Sequence, residues 1–428
     1  MAKFARQTGK FYLASAIVAG CGLGCNEAAW AQLEEVVVTA QKRSENLQNV
    51  PIAITAFDAE AMEAKQITTV QDLRFTAPNV SYSKGNFTGS NFKIRGIGQD
   101  LVAATADAGV GIHINDVPLQ DPRLYETEYY DIEQLVVLRG PQGTLYGRNS
   151  TGGAVNMITN RAALDELGGN IEGQYGNHDN VRLKGMINIP LGDTLAVRFA
   201  GISLQRDGYT RNLATGNDID DRDQWSLRGS LQWRPTDNTA INFMASYMDE
   251  NSSRTRSPKQ LCHNDPSGLL GCLPDKLAYD AVNPLAQLTG IIPSRLGPLG
   301  PQPGLTNDTA GVPRSLRKVA ADTDPKYQSD ETLAILRLEH QFTHHEMTVI
   351  TSYHDTSLTS QQDYTMNSSE VEFFPSPLLE GLAPITYATY FADNQLPISR
   401  QSRTNTGLVG GNIGGRSNSV SYTHLTLP

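Results

Sequence analysis

Long apolar runs are missing from this sequence beyond its N-terminus. No later segment holds the ~20 consecutive apolar residues of a membrane-spanning helix, which excludes a helical membrane protein. Aromatic residues make up only 7% of the 428 residues, the net charge is -10 and the mean hydropathy is -0.35. The acidic balance argues against a nucleic-acid partner. The composition fits a soluble acidic protein, and it equally fits a transmembrane β-barrel, whose strands alternate apolar and polar residues.

The N-terminus has the parts of an export signal. Three basic residues among the first ten precede an apolar segment at 11–20, and Ala29-Trp30-Ala31 fits the small-x-small cleavage rule. Residues 1–31 are therefore predicted to be a signal peptide, with the mature chain starting at Gln32. A lipoprotein-type cleavage that leaves Cys21 acylated is the less favoured alternative.

Cysteine is scarce, with four residues in the chain. Two of them lie in the signal peptide, so Cys262 and Cys272 are the mature pair. An even pair in an exported protein predicts a disulfide, here closing a small surface loop. A metal pair with the adjacent His263 is less favoured because no further ligand spacing follows. No metal site or cofactor is expected.

Catalytic motifs are also missing. The sequence has no Ser/His/Asp order, no HExxH and no paired CxxC, so no catalytic residue is assigned and an enzyme is not expected.

Glycine is concentrated at 133–159, EQLVVLRGPQGTLYGRNSTGGAVNMIT. A strand-like run at 135–138 is followed by five glycines and a second strand-like run at 154–159. Glycine at this density permits positive φ and close backbone approach. The pattern predicts two strands joined by a glycine-rich turn. A phosphate loop is excluded because GxxxxGK[ST] is absent.

The region before this stretch has mixed α/β composition. Residues 34–43, EEVVVTAQKR, form a short strand of high β-propensity. Residues 45–160 predict a compact α/β domain. Its expected strands are 50–57, 92–97 and 109–119, and its expected helices are 58–65 and 69–75.

After residue 161 the pattern changes to long strands with period-two alternation. In 225–234, WSLRGSLQWR, Trp225, Leu227 and Trp233 share one face, and polar residues occupy the other. Long segments rich in Pro, Gly, Asn and Asp at 251–328 and 366–400 read as loops, whereas 235–238 reads as a tight turn. A soluble β-sandwich could alternate in the same way. The export signal and the aromatic strand ends favour a membrane barrel with its apolar face toward lipid.

The string at 133–159 resembles the closing signature of the plug domain of TonB-dependent outer-membrane receptors. Residues 34–43 are similar to the TonB box of that family, and Ile94-Arg95-Gly96 is similar to a plug motif. Asn115-Asp116-Val117-Pro118 is similar to a second motif, with Asp116 where the family usually has glycine.

The resemblance implies an α/β plug domain followed by an antiparallel transmembrane β-barrel of the 22-stranded type. The expected organisation is a signal peptide at 1–31, a TonB box segment at 32–44, the plug at 45–160, the N-terminal part of the barrel at 161–418 and a non-native tail at 419–428. Residues 162–428 have room for about seven to ten strands. The barrel is therefore expected to be truncated and open, and the chain to be an N-terminal fragment.

The resemblance also implies the site residues. The TonB box, which would pair with TonB by strand addition, would comprise Glu35, Val36, Val37, Val38 and Thr39. Charged plug residues would contact acidic residues of the barrel wall, through Arg95, Glu133, Arg139 and Arg148. Ligand would contact the plug apices, where the candidates are Tyr82, Phe87, Gln99, Asp100 and Tyr125.

The implied function is energised uptake of a scarce ligand across the outer membrane of a Gram-negative bacterium, with the TonB box in the periplasm. The implied partners are TonB with its ExbB–ExbD complex, outer-membrane lipid and a small-molecule ligand, with an iron–siderophore complex as the family default. Carbohydrate, cobalamin, haem and plant-derived compounds are alternative ligands. A passive porin or adhesin barrel is a different class of function, and the TonB box and the plug argue against it.

Overall fold

The computed structural model describes the chain in segments. These are residues 37–38, 45–46, 50–84, 90–98, 108–119, 128–213, 215–254, 315–319, 321, 323–361, 413–418 and 421–426, with a few residues between 261 and 278. Within these segments, no helix has the length and apolar character needed to cross a membrane.

The first elements form a short strand pair followed by a mixed α/β domain, which we call the N-terminal unit (residues 50–160). The pair is β1 (Val37–Val38) and β2 (Glu45–Asn46), which run antiparallel. The elements of the unit are β3 (Ala53–Asp58), α1 (Ala59–Ala64), a 3-10 turn (Val70–Asp72), α2 (Leu73–Thr76), β4 (Val80–Lys84), β5 (Ser90–Ile94), β6 (Val110–Ile114), β7 (Val117–Pro118), β8 (Ile132–Arg139), α3 (Gly143–Tyr146) and β9 (Gly153–Thr159).

The unit is built around a five-stranded sheet of order β3-β8-β9-β6-β7, with β4 and β5 as a separate hairpin. Helix α1 begins where the Asp58 carboxylate accepts the Ala61 N–H at 2.7 Å, an N-cap bond. Asp72 accepts the N–H groups of Thr68 and Thr69 at 2.9 and 2.8 Å ahead of α2. The predicted strands and helices occur in the predicted order, but β4 was not predicted, and the expected strand at 109–119 is divided into β6 and β7.

The glycine-rich connection differs from its prediction in one respect. Strands β8 and β9 pair antiparallel, as expected, but α3 lies between them. A helix of four residues is too short to give a periodic pattern in the sequence, so α3 was not predicted. Gly153 opens β9 at φ +149°, where an added Cβ would lie 2.2 Å from the Leu138 carbonyl oxygen. Only glycine fits this close approach.

The rest of the described chain is almost entirely β. Its strands are β10 (Gly168–Gly176), β11 (Asn180–Pro190), β12 (Leu195–Arg206), β13 (Thr210–Asn212), β14 (Asp218–Ile219), β15 (Arg222–Thr236), β16 (Thr239–Ser252), β17 (His263–Asn264), β18 (Cys272–Leu273), β19 (Lys318–Val319), β20 (Lys326–Gln341), β21 (Glu346–Gln361), β22 (Ile413–Asn418) and β23 (Ser421–Thr426).

Nine of these strands form one antiparallel sheet, which we call the large sheet. Its order is β10-β11-β12-β15-β16-β20-β21-β22, and β23 pairs with the other half of β21. Within the described residues β10 is one edge, and β22 and β23 are the other, so the sheet is open. This confirms the predicted open sheet.

The large sheet exposes apolar side chains on its outer face, and its inner face buries polar side chains beside apolar ones. On β15, Trp225, Leu227 and Trp233 are 39%, 59% and 44% exposed, whereas Gln224 and Arg228 are buried. The face with the buried polar side chains packs on the N-terminal unit, and we call it the inner face. This inversion of a soluble core is the pattern of a transmembrane barrel wall.

The two ends of the large sheet differ in their connections. Short turns at 191–194, 237–238 and 342–345 join strands at one end. At the other end, β12 and β15 are joined by 207–221, and β16 and β20 by 253–325. We call the second end the long-loop end, which is the extracellular side in barrels of this type.

Candidate functional site

The candidate site is the interface between the N-terminal unit and the inner face of the large sheet. Its first contact is an ion pair between Asp131, just before β8, and Arg198 of β12. Arg198 donates Nε to Oδ2 at 2.9 Å and Nη2 to Oδ1 at 2.5 Å. Asn160 donates a third hydrogen bond to the same carboxylate at 2.8 Å. The Asp131 and Arg198 side chains are only 7% and 12% exposed. The Asp131–Arg198 pair is therefore bidentate and largely shielded from water, and its two hydrogen bonds fix the relative orientation of the two side chains.

Tyr130 and Arg228 extend this contact along the sheet. Arg228 donates to the backbone carbonyls of Tyr130 and Asp131, both at 3.2 Å, and its guanidinium lies 4.4 Å from the Tyr130 ring centroid. The Tyr130 hydroxyl is 2.7 Å from Ser226 Oγ. Segment 128–131 is thus held on the inner face by both side chains and backbone.

Glu128 adds a second ion pair from the same segment. Arg182 Nη2 of β11 lies 2.7 Å from Glu128 Oε2, and both side chains are largely buried. The two groups form an ion pair, but the Arg182 N–H does not point at the Glu128 oxygen closely enough for a hydrogen bond. Three neighbouring strands, β11, β12 and β15, therefore hold one four-residue segment.

Asp116 makes the third ion pair, from the turn between β6 and β7. Its Oδ2 accepts from Arg337 Nη1 at 2.8 Å, and its Oδ1 accepts from Asn156 Nδ2 at 2.9 Å. Asp116 has φ +71°, a conformation that favours glycine. Aspartate is strained in this backbone conformation, and its ion pair with Arg337 of the sheet offsets that strain.

Arg337 continues this chain of contacts toward the segment that leaves the N-terminal unit. Its Nε donates to Glu339 at 2.6 Å, and Arg161 reaches the other oxygen of that carboxylate at 3.3 Å. Beyond Arg161, the buried Asn188 side chain of β11 bonds the backbone of Ala163 at 2.8 and 2.9 Å. The exit of the unit is therefore fixed to the sheet.

A small cavity of about 60 Å³ lies within this interface. Tyr129, Tyr130, Arg228 and Glu331 contribute to its lining, together with apolar side chains of both parts. Burial, and then the charge of Asp72, raise the pKa of the Tyr129 hydroxyl, so it stays protonated. Most of the cavity wall is apolar, and polar groups form the smaller part of it. The interface thus combines dry ion pairs with an incompletely packed region.

The structure places the predicted contact residues inside or at the surface of the N-terminal unit. Arg95 is exposed in a tight turn after β5 at φ +55°, and Glu133 is exposed on β8. Arg139 donates Nη2 to the Ile54 carbonyl of β3 at 3.4 Å, and Arg148 is exposed after α3. Contact of these four residues with the barrel wall stays a prediction.

The polarity of the described ion pairs differs from the expected one. The expectation was plug arginines facing wall carboxylates, whereas Asp116, Glu128 and Asp131 of the unit face arginines of the sheet. Sequence could have offered one signal, the arginines at polar-face positions within apolar strands. Among the acidic partners, Glu128 and Asp131 carry no local signature, because their arginines lie more than 50 residues away in the chain.

The predicted ligand and TonB-box residues are only partly described. Tyr82 is half-buried in β4 and packs against the core of the unit. Val37 and Val38 form β1, and Cys272 begins β18. The remaining predicted residues lie outside the described segments: Glu35, Val36, Thr39, Phe87, Gln99, Asp100, Tyr125 and Cys262. The assignments to the TonB box, the ligand contacts and the disulfide stay predictions.

Comparison with known proteins gives the architecture a context. Residues 46–154 match the family described as the TonB-dependent Receptor Plug Domain. The iron-regulated outer membrane virulence protein of Vibrio cholerae is 28% identical over 184 residues, which cover 41% of this chain and 28% of that protein. The pesticin receptor of Yersinia pestis is 29% identical over 190 residues, covering 43% and 27%. The vitamin B12 transporter of Vibrio vulnificus is 27% identical over 218 residues, covering 49% and 34%. The chain thus spans less than half the length of each of these relatives.

Solved structures share the fold. The ferric yersiniabactin uptake receptor of Yersinia pestis superposes with a TM-score of 0.56 at 18% identity, covering 73% of this chain and 42% of that chain. The ferric-catecholate import receptor of Escherichia coli superposes with a TM-score of 0.53 at 16% identity, covering 77% and 42%. At these identities the likeness concerns the fold alone.

Proposed function

We propose that this chain, which belongs to the TonB-dependent outer-membrane receptors, takes part in the energised uptake of an iron–siderophore complex across the outer membrane. Receptors of this family are transporters rather than enzymes. In this reading the N-terminal unit is the plug, and the large sheet is part of the barrel wall around it.

The observation that carries the proposal is the set of three buried ion pairs between the plug and the wall, which lie beside apolar contacts of the same interface. A plug that must move needs contacts that hold it in place and that water can replace. Buried ion pairs meet this need, because their strength depends on geometry and their groups are well solvated once they separate. An apolar interface of the same area would resist opening more strongly, because exposing its surface to water has no such compensation.

Energy would enter at the TonB box. Strand β1 offers backbone N–H and C=O groups for strand addition to TonB, which the ExbB–ExbD complex would energise from the inner membrane. The exposed apolar side chains of the large sheet would contact outer-membrane lipid: Val181, Leu183, Ile187, Phe199, Trp225, Leu227, Trp233, Phe243 and Leu336.

The names of two similar proteins support an iron–siderophore ligand. The Vibrio cholerae relative is named an iron-regulated outer membrane virulence protein, and one of the similar solved structures is a ferric yersiniabactin uptake receptor. Cobalamin is the second candidate ligand, since the Vibrio vulnificus relative is named a vitamin B12 transporter.

The test is accumulation of radiolabelled iron by a host that lacks its own siderophore receptors and expresses this receptor. A panel of ferric siderophores and labelled cobalamin would be supplied to cells with and without TonB. Uptake of one ferric complex that disappears without TonB is the expected result. Uptake that is unchanged without TonB would contradict energised transport, and TonB-dependent uptake of cobalamin alone would replace the iron assignment.

A further inference from the structure

Two arginines bracket one tyrosine at the long-loop end of the wall. The Arg206 guanidinium lies 4.8 Å from the centroid of the Tyr209 ring, and the Arg317 guanidinium lies 4.6 Å from the same centroid. Arg206 is the last residue of β12, on the inner face by its alternation with the buried Leu204. Arg317 comes from a different connection, just before β19. The site is therefore assembled from two loops.

Neither arginine has a carboxylate partner within ion-pair distance among the described residues. Arg182, Arg198, Arg222 and Arg337 on the same face each pair with a carboxylate. Arg206 instead donates Nη2 to the backbone carbonyl of Asp220 at 2.7 Å. Its Nε is buried without an acceptor in the described part of the chain.

The charges around Arg206 act on it without forming an ion pair, with Arg222 repelling it and Asp220 and Asp221 attracting it. Arg222 lies directly opposite Arg206 in the β12–β15 register, and like charges in such a position repel. The nearby Asp221 carboxylate is turned to the backbone N–H of Ser253. Arg206 therefore lies among charges of both signs and keeps a buried Nε that meets no acceptor in the described part of the chain.

The position of Arg317 relative to Arg206 is fixed by a clasp between the two loops. Strand β13 pairs parallel with β19, and the buried Asn212 exchanges hydrogen bonds with Ala321 at 2.9 and 3.0 Å. Asp324 accepts hydrogen bonds from Asn212 and Thr215 at 2.9 and 2.7 Å. The two guanidiniums are thus held in place before any ligand arrives, which lowers the ordering cost of binding.

We infer that Arg206, Arg317 and Tyr209 form a capture site for an anionic chelate of the ferric catecholate class. The guanidinium N–H groups match planar oxygen donors, and their free faces stack on aromatic rings, so planar, negatively charged catecholates suit both features. The inference rests on the proposed function, since it names the ligand class that the receptor would take up.

The test compares two ferric complexes on the receptor in isolated outer membranes. A ferric tris-catecholate is triply negative, whereas a ferric tris-hydroxamate of similar size is neutral. Arg206→Gln and Arg317→Gln should each weaken binding of the tris-catecholate about tenfold or more, as expected for a lost charge-assisted hydrogen bond. Binding of the neutral complex should stay weak and unchanged.

Arg211→Gln is the matched control, because Arg211 lies in the same loop but already pairs with Asp218 at 3.3 Å. It removes the same charge from the same region and should change binding less than about threefold. Arg206→Lys keeps the positive charge but loses the planar guanidinium, so it should bind more tightly than Arg206→Gln and less tightly than wild type, which separates a charge effect from misfolding.

Three results would overturn the inference: equal losses in the Arg206, Arg317 and Arg211 variants, a wild-type preference for the neutral complex, or no binding of either complex. None of these results bears on energised transport, which is decided separately by the dependence of uptake on TonB.

Discussion

Substituting Asp131 with asparagine removes the charge that holds segment 128–131 against the wall. Arg198 then keeps its burial but loses the carboxylate that both of its bonded nitrogens meet. Breaking a buried pair by removing one partner costs about 3–5 kcal/mol, because the other charge stays buried and unpaired. Asparagine keeps an oxygen acceptor, so we expect the lower end, about 3 kcal/mol. That change raises the fraction of receptors with a released plug about a hundredfold.

The Arg161–Glu339 pair provides the internal comparison. Its side chains are 44% and 25% exposed, and its separation is 3.3 Å. Partly exposed pairs contribute about 0–1 kcal/mol. Arg161→Gln should therefore change plug release much less than Asp131→Asn, although both variants remove one charge from the same interface.

The assay is urea-induced release of the plug in purified receptor, followed by a fluorophore on a cysteine that replaces Glu63. Glu63 is exposed on α1, away from the ion pairs. A double-mutant cycle of Asp131→Asn and Arg198→Gln isolates the pairwise energy. We expect a coupling of about 2–4 kcal/mol for this pair and less than about 1 kcal/mol for Arg161 with Glu339. Equal couplings at the two pairs would refute the expectation that the buried Asp131–Arg198 pair holds the plug more strongly than the partly exposed Arg161–Glu339 pair.

Three further predictions concern other parts of the chain. Mass mapping of exported protein without reductant should find Cys262 joined to Cys272, and two free thiols would reject the disulfide. Gly153→Ala should destabilise the plug by several kcal/mol, about 3 or more, because the new Cβ meets the Leu138 carbonyl; Gly143→Ala, which has open space, should cost little, and equal urea midpoints would contradict this. Hydrogen bonds from Asn217, Thr215 and Asn212 outweigh burial and hold the pKa of Asp324 below its usual range. Because the folded-state pKa is lowered, the stability that Asp324 gives to the loop clasp is present above pH ~4 and is lost as the pH falls through that lowered pKa. Limited proteolysis should therefore cut near 321–324 only in acid, and Asp324→Asn should remove this pH dependence.

The local patterns of the sequence predicted most of the fold. Period-two alternation in 225–234 predicted which side chains face outward, because that pattern depends on the strand alone. The glycine-rich string at 133–159 predicted the pairing of β8 with β9, because the two strands follow each other in the chain and are joined by a short connection. Helix α3 could not be predicted, since four residues carry no helical period.

The site could be predicted only in outline. The pairing of Asp131 with Arg198 joins residues 67 positions apart, and it depends on how the plug sits against the wall. No spacing rule in the sequence encodes that placement. Asp116 did carry a signal, because aspartate stands where the family motif usually has glycine. The structure explains this departure by the contact of Asp116 with Arg337.

Energy coupling through the TonB box is tested most directly by Val37→Pro. Proline removes the backbone N–H that strand addition requires, whereas Val37→Ala keeps it. Binding of the transported ferric complex to isolated outer membranes and its accumulation by energised cells would be measured for both variants. We predict that Val37→Pro binds like wild type and accumulates no iron, while Val37→Ala retains uptake. Normal accumulation by Val37→Pro would contradict the TonB-box assignment and the transport function built on it.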